Sequence, residues 1–322
     1  MDLNLDHAKS FMKFGGSMKN KIKKNKYLIF GFDMEPDVGS TSVNYEGVKY
    51  GTPRITDILE NNSVKATFLW TGDCALKNED ILKYVDSKGY EIGCHSLFHE
   101  DLGEVNFVSS SISRILDEEL EHRLKLNVEI IKKITGKNPK SFRSPRGFGS
   151  SKLIEVLEKL GFEQDSSYLQ FNRGSRDFPY FASKTNWEEE GDSNILELPC
   201  FCFDKENASD NTFAKRLDSW PRLRTHGARF VFENMLPIVD RQYDSFGMSA
   251  LTFYLHPWEF HKMPQSIKYA EGTLYYDEFL YKNTGENQVR EFNDFIKISL
   301  ENGFEIVDFT AFRSIYADFF KK

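Results

Sequence analysis

Cysteine is scarce in this chain. Only Cys74, Cys94, Cys200 and Cys202 occur among 322 residues, and no two form a Cys-x-x-Cys pair. That excludes a disulfide-dense scaffold and predicts reduced, buried thiols. Positive charge is in deficit as well. A formal net charge of −7 excludes nucleic acid as the main partner, because phosphate backbones are bound by surplus Lys and Arg. No apolar run approaches the roughly 20 residues of a transmembrane helix, so no integral membrane segment is expected. The opening stretch, MDLNLDHAKSFMKFGG, lacks the apolar block of a secretory signal, and a cytoplasmic location follows as the expectation. No G-x-S-x-G nucleophile elbow occurs. Gly147-Phe148-Gly149 lacks both the lysine of a phosphate loop and a dinucleotide-binding spacing. Internal repeats and low-complexity linkers are also missing.

Aromatic residues are plentiful, with 29 Phe, 14 Tyr and 4 Trp. They suit a large core or a groove for sugar rings. Residues 1–26, which include the basic stretch Lys19 to Lys26, read as an N-terminal extension. Residues 27–322 read as one catalytic domain. Tyr27 to Phe32 is a continuous apolar run, expected as a buried strand that stops before Pro36. Further strands are expected at 65–70, 90–94, 141–143, 195–203, 251–255 and 305–307. Helices are expected at 51–62, where Thr52 and Pro53 supply a start signal, and at 79–88, 112–134, 151–160 and 289–301. Strand and helix alternate with connections too long for hairpins, which implies parallel pairing by right-handed crossovers. The predicted fold class is α/β, a distorted, incomplete (β/α) barrel of seven or so mostly parallel strands. Residues 167–250 alternate poorly and read as an irregular insertion near the site.

Chemistry concentrates at strand ends. His95 and His99 are four residues apart just after a predicted strand, and on one helical turn both rings would share a face. Spacing alone is weak: 7 His in 322 residues give about 0.15 such pairs by chance. The rest of the chain adds weight. Asp33, Arg143 and His256 also follow predicted strands, on the edge where barrels and open α/β sheets place their active sites. One carboxylate and two imidazoles make three metal ligands and leave a position for water. A second carboxylate and a further histidine supply a base and an acid.

Four blocks in order, Phe32-Asp33-Met34-Glu35, His95-x-x-x-His99, Arg143-Ser144-Pro145-Arg146-Gly147 and Leu255-His256-Pro257-Trp258-Glu259, resemble the polysaccharide deacetylase family (carbohydrate esterase family 4, the NodB homology domain). The resemblance runs from about residue 27 to 310. It implies Asp33 as catalytic base, Arg143 as the arginine that orients it, and His256 as the acid that protonates the departing amine. It implies His95 and His99 as metal ligands. The family's first motif has two adjacent aspartates, whereas Met34 stands at the second position here. Residues 33 and 35 share a strand face, so Glu35 is expected as the third ligand. Arg146 stands where the family usually has Tyr. Its main-chain N–H is expected to hold an oxyanion, and its side chain to meet an anionic group of the substrate. Trp258 is expected to stack on a sugar ring or to pack beneath the site, and Glu197 to line the site.

The resemblance thus implies a hydrolase that removes N-acetyl groups from a carbohydrate, be it a polysaccharide precursor, a glycolipid or a peptidoglycan-type sugar. Its implied cofactor is one divalent metal ion, zinc foremost, with cobalt, nickel or manganese also accepted by such ligands. Two alternatives stand beside it. One is a metal-poor, allantoinase-like hydrolase of another C–N bond, as in a ureide or cyclic amide. The other is an inactive carbohydrate-binding homologue.

Overall fold

The computed structural model describes residues 25–39, 42–104, 114–169, 176–203 and 219–321. Its central element is β1, Lys26–Met34, the apolar run foreseen above, extended by two residues at its C-terminal end. The other strands are β2 (Thr67–Trp70), β3 (Glu91–Cys94), β4 (Ser141–Phe142), β5 (Gln164–Asp165), β6 (Tyr180–Phe181), β7 (Leu196–Glu197), β8 (Ser249–Leu255), β9 (Ser266–Tyr269), β10 (Gly272–Tyr275) and β11 (Glu305–Val307). The helices are α1 (Thr52–Asn61), α2 (Gly72–Lys77), α3 (Glu79–Ser87), α4 (Asp117–Thr135), α5 (Ser151–Lys159), α6 (Trp220–His226), α7 (Ala228–Phe246), α8 (Glu278–Tyr281), α9 (Glu286–Glu301) and α10 (Phe309–Phe320).

Strands β1, β2, β3, β4, β5 and β7 pair in parallel in that order, and β8 pairs in parallel with β1 over its whole length. Among the described residues, one isolated parallel bridge, Cys200 to Thr252, joins the ring between β7 and β8. Only β6 runs antiparallel within this sheet. The result is a distorted, incomplete barrel of mostly parallel strands, as foreseen.

Strand alternation decides what lies inside. On β1, Leu28, Phe30, Phe32 and Met34 pack outward in the main apolar cluster. Tyr27 and Ile29 face inward, with Leu69, Leu196, Leu198, Met248 and Ala250, and with Phe309, Phe312 and Tyr316 of α10. Apolar side chains and α10 therefore fill one end of the barrel. Continuing the same parity, Gly31 and then Asp33 face inward toward the other end. All four cysteines are buried and unbridged.

Several expectations need correction. The strand expected at 195–203 is only two residues long in β7, followed by isolated bridges. The helix expected from 112 begins at Asp117, and residues 105–113 fall outside the described set. Most of the predicted extension, residues 1–24, lies outside it too. The stretch 167–250 was expected to be irregular, yet it contains the 19-residue helix α7 with Pro237 inside. Thr52 makes no side-chain cap; α1 continues from a wide helical turn, Gly47–Gly51. That turn lies with its main chain on the Pro257–Phe260 turn that follows His256. A Cβ at Gly47 would fall 2.2 Å from Trp258 Cα, and one at Gly51 would fall 2.0 Å from the Pro257 carbonyl oxygen. Gly47→Ala should therefore cost about 1–3 kcal/mol or more, the range of overpacked cores. Urea denaturation should show a lower midpoint with an unchanged slope; an unaltered midpoint would refute the close packing.

Candidate active site

Register brings the candidate base and the candidate acid together. Phe32 of β1 pairs with Leu255 of β8, so the next residues on the two strands, Asp33 and His256, are neighbours at the same end. Glu35 follows immediately beyond β1, and His95 immediately beyond β3. The side chains of Asp33, Glu35, His95, His99, Arg143 and His256 are all buried. The sequence-derived set converges.

Glu35, His95 and His99 present ligand atoms that lie within 4.8 Å of one another. Glu35 Oε2 is 2.6 Å from His99 Nε2 and 3.3 Å from His95 Nε2. His95 Nδ1 lies 2.8 Å from the Arg143 carbonyl oxygen. A carbonyl only accepts, so Nδ1 carries the proton and Nε2 offers a lone pair. That Nε2 is buried with no hydrogen-bond partner, and it faces a carboxylate oxygen. Two lone pairs facing each other in a dry site call for a cation between them, and one carboxylate with two imidazoles suits a divalent transition ion. Burial would raise the Glu35 pKa, but the adjacent His99, with the charge of His256 beyond, holds it well below the usual carboxylate range. It is an anion at neutral pH.

The approach of the two imidazoles differs from expectation. Residues 95–99 form no helical turn. Ser96 and His99 adopt left-handed backbone conformations, with φ of 69° and 60°, unusual for residues with a side chain. The loop is fastened from several sides. Glu100 accepts the Phe98 N–H at 2.6 Å and the Ser96 hydroxyl at 3.0 Å. Asn127 of α4 donates to the carbonyls of Trp70 and Ser96. Gly39 leaves room beside the ligands, since a Cβ there would lie 3.2 Å from His99 Cε1.

Arg143 donates from Nη1 to Asp33 Oδ1 at 2.7 Å, from Nε to the Ser166 carbonyl at 3.0 Å and from Nη2 to Ser166 Oγ at 3.1 Å. Its guanidinium lies across β1, where a Cβ at position 31 would come within 2.6 Å of Nη2. Gly31 is what makes that crossing possible.

His256 is set in a second buried group. Its Nδ1 lies 3.1 Å from Glu259 Oε1, and Arg224 Nε donates to Glu259 Oε2 at 3.1 Å. Trp258 stacks on the imidazole with centroids 5.0 Å apart, and Trp220 meets it edge-on at 5.2 Å. Burial pushes the His256 pKa down. The hydrogen bond to Glu259 and the charges of Glu35, Glu259 and Asp33 outweigh burial, and the pKa is raised. A histidine protonated near neutrality can serve as the acid.

The remaining sequence candidates fall elsewhere. Arg146 turns its guanidinium to buried Asp101 at 2.5 Å and to the His99 carbonyl at 3.3 Å. It braces the ligand loop. Trp258 is buried under His256, not open to a sugar ring. Glu197 does not line the site: it is fully buried in the sheet, accepts the Tyr168 N–H and is the register partner of Asp165. The sequence reading missed Glu259, Arg224, Trp220 and Asn127 as supports. Glu259 had a local signal, a carboxylate three residues after His256 with Pro257 between them, as at a helix start. Arg224 had none.

The sequence profile described as Polysaccharide deacetylase matches residues 20–164. A peptidoglycan-N-acetylglucosamine deacetylase of Bacillus cereus is 27% identical over 216 residues, 65% of this chain and 71% of its own length. A peptidoglycan-N-acetylmuramic acid deacetylase, PdaA, of Bacillus subtilis is 28% identical over 151 residues, 46% of this chain and 53% of its own. The chain thus spans about half of that relative. Among solved structures, the Puue allantoinase superposes with a TM-score of 0.59 at 14% identity, over 92% of this chain and 91% of that one. At that identity the likeness concerns the fold alone.

The group around His256 generates a pH prediction. Removing the Glu259 charge removes a cause of the raised pKa, so the imidazole loses its proton at lower pH. In Glu259→Gln, the alkaline limb of the activity profile should move toward acid pH, with the acid limb unmoved. A profile identical to that of the unmodified protein would show that Glu259 does not tune His256.

Proposed function

Because the chain belongs to the polysaccharide deacetylase family, we propose that it is a metal-dependent hydrolase that removes N-acetyl groups from a carbohydrate and releases acetate. The observation that carries this reading is one arrangement: an Arg-held carboxylate and a Glu-held histidine on adjacent strands, beside a buried Glu-His-His cluster that calls for a cation. Glu35, His95 and His99 would hold the ion, zinc on our reading, with cobalt, nickel and manganese as ions the same donors accept. When bound there, a divalent ion supplies Lewis acidity toward an acetyl carbonyl and toward water.

The side chains divide the proton transfers. Asp33, oriented by Arg143, takes the proton of the attacking water. The main-chain N–H of Arg146, in the Pro145–Gly147 turn, is our candidate for a donor to the developing oxyanion. His256 gives its proton to the amine nitrogen as the C–N bond breaks, so acetate and a free amine leave together. The substrate class we propose is an N-acetylated amino sugar, because the named Bacillus relatives are deacetylases of such units. No helix of the described residues is long and apolar enough to cross a membrane.

The test is acetate release from N-acetylglucosamine oligomers and peptidoglycan fragments by protein loaded with zinc, cobalt, nickel or manganese. Release is expected, and a chelator or His95→Ala should abolish it. Asp33→Asn should lower kcat by about 10²–10⁴-fold, the usual worth of a general base, with bound metal retained. Full activity in chelator would reject the metal role. Turnover of a cyclic ureide without acetate release would identify a different C–N hydrolase. Calorimetric binding of glycan without turnover would identify a binding protein.

A further inference from the structure

Asp165 and Glu197 take no part in the steps above, yet both are fully buried. They are register partners on the parallel strands β5 and β7, which places their carboxyls side by side, within reach of a hydrogen bond. Such a bond requires one proton between two groups that otherwise only accept. Asp165 Oδ1 takes the Ser167 hydroxyl at 2.6 Å, and Glu197 Oε1 takes the Tyr168 N–H at 2.8 Å. Asp165 Oδ2 and Glu197 Oε2 are both buried with no hydrogen-bond partner, and one proton shared between them satisfies both. Burial raises both pKa values, that of Asp165 to about 6, and the charge of Asp165 raises that of Glu197 further. The pair therefore carries a single negative charge at neutral pH.

From the pair, contacts lead across the sheet to the site. Ser167 Oγ donates to Asp165 and accepts the Ser144 N–H at 2.8 Å. Ser166 stands between them on the opposite strand face, and it accepts both Nε and Nη2 of Arg143. The segment 165–168 is thus fastened by two carboxyls on one face while it holds the guanidinium on the other. Arg143 is then gripped by Asp33 and by Ser166, and its charge reaches Asp165 of the pair. A second full charge behind it would compete with Asp33.

We propose that Asp165 and Glu197 act as one proton-sharing pair that positions Arg143, and through it the base Asp33. The kinetic part of its test rests on the deacetylase reading; the spectroscopic part does not. In 15N-labelled protein the Arg143 Nε–H resonance, assigned by its loss in Arg143→Lys, reports the guanidinium directly. Glu197→Ala should shift and broaden it. Glu197→Gln should leave it in place, because an amide N–H can bond Asp165 as the shared proton does. Acetate release should follow the same order. The alanine variant loses about 10- to 100-fold in kcat, the scale of a misplaced catalytic group, with KM and bound metal unchanged, and the glutamine variant keeps most of its activity. Should the alanine variant unfold, Glu197→Met, which fills the volume without a hydrogen bond, takes its place. One unchanged Arg143 resonance in all variants, or glutamine behaving like alanine, would overturn the proposal. If the unmodified protein releases no acetate, the deacetylase reading fails while the Arg143 resonance still decides the role of the pair.

Discussion

One residue, Arg143, ties the site together. Its guanidinium fixes Asp33, its carbonyl sets the tautomer of His95, and its remaining donors grip Ser166. The candidate base and a candidate metal ligand are therefore oriented by two ends of one residue. A buried ion pair contributes little net stability once desolvation is counted, but breaking one side leaves an unpaired buried charge. Such a pair serves geometry more than stability. Its place also dictates a neighbour: the guanidinium can cross β1 only where residue 31 has no side chain.

Charge matching supports the proposed cation at Glu35 in particular. Around this end of the barrel, Asp33 has Arg143, Glu259 has Arg224 and Asp101 has Arg146. Asp37, also buried, accepts the N–H groups of Glu46 and Gly47. Burial still raises its pKa to about 6. Glu35 stays ionised against two imidazoles, one of which offers it a lone pair. An ionised carboxylate in that setting is stable only with a positive charge at hand. The cluster is thus recognisable by what its electrostatics leave unbalanced, as well as by residue type.

Much of this was legible in the sequence where the local pattern is strong. The strand at Tyr27 to Phe32 is a long apolar run, and Asp33, His95, Arg143 and His256 announce themselves as polar residues at strand ends. The two-residue strands β4, β5 and β7 have too little sequence for a period, and β7 came out too long as a result. Helix α7 was hidden by Pro237 and by its aromatic content. The four-residue spacing of His95 and His99 pointed to two rings that do converge, but for the wrong reason, because two left-handed residues, not a helical turn, bring them together. Arg224 stayed illegible because its partner Glu259 lies 35 residues away in the chain, and only the folded α6 brings them into contact.

Among the described residues, the lone bridge between Cys200 and Thr252 acts as a seam in the strand ring. Asp33, Glu35, His95, His99 and Arg143 all come from the continuous arc β1 to β4, and His256 arrives on β8, zipped to β1 over seven paired residues. No pair of reacting groups spans the seam. The circumference of the barrel can therefore adjust there, and the chain between β7 and β8 can vary in length during evolution, while the distances that govern the chemistry stay fixed on the closed side.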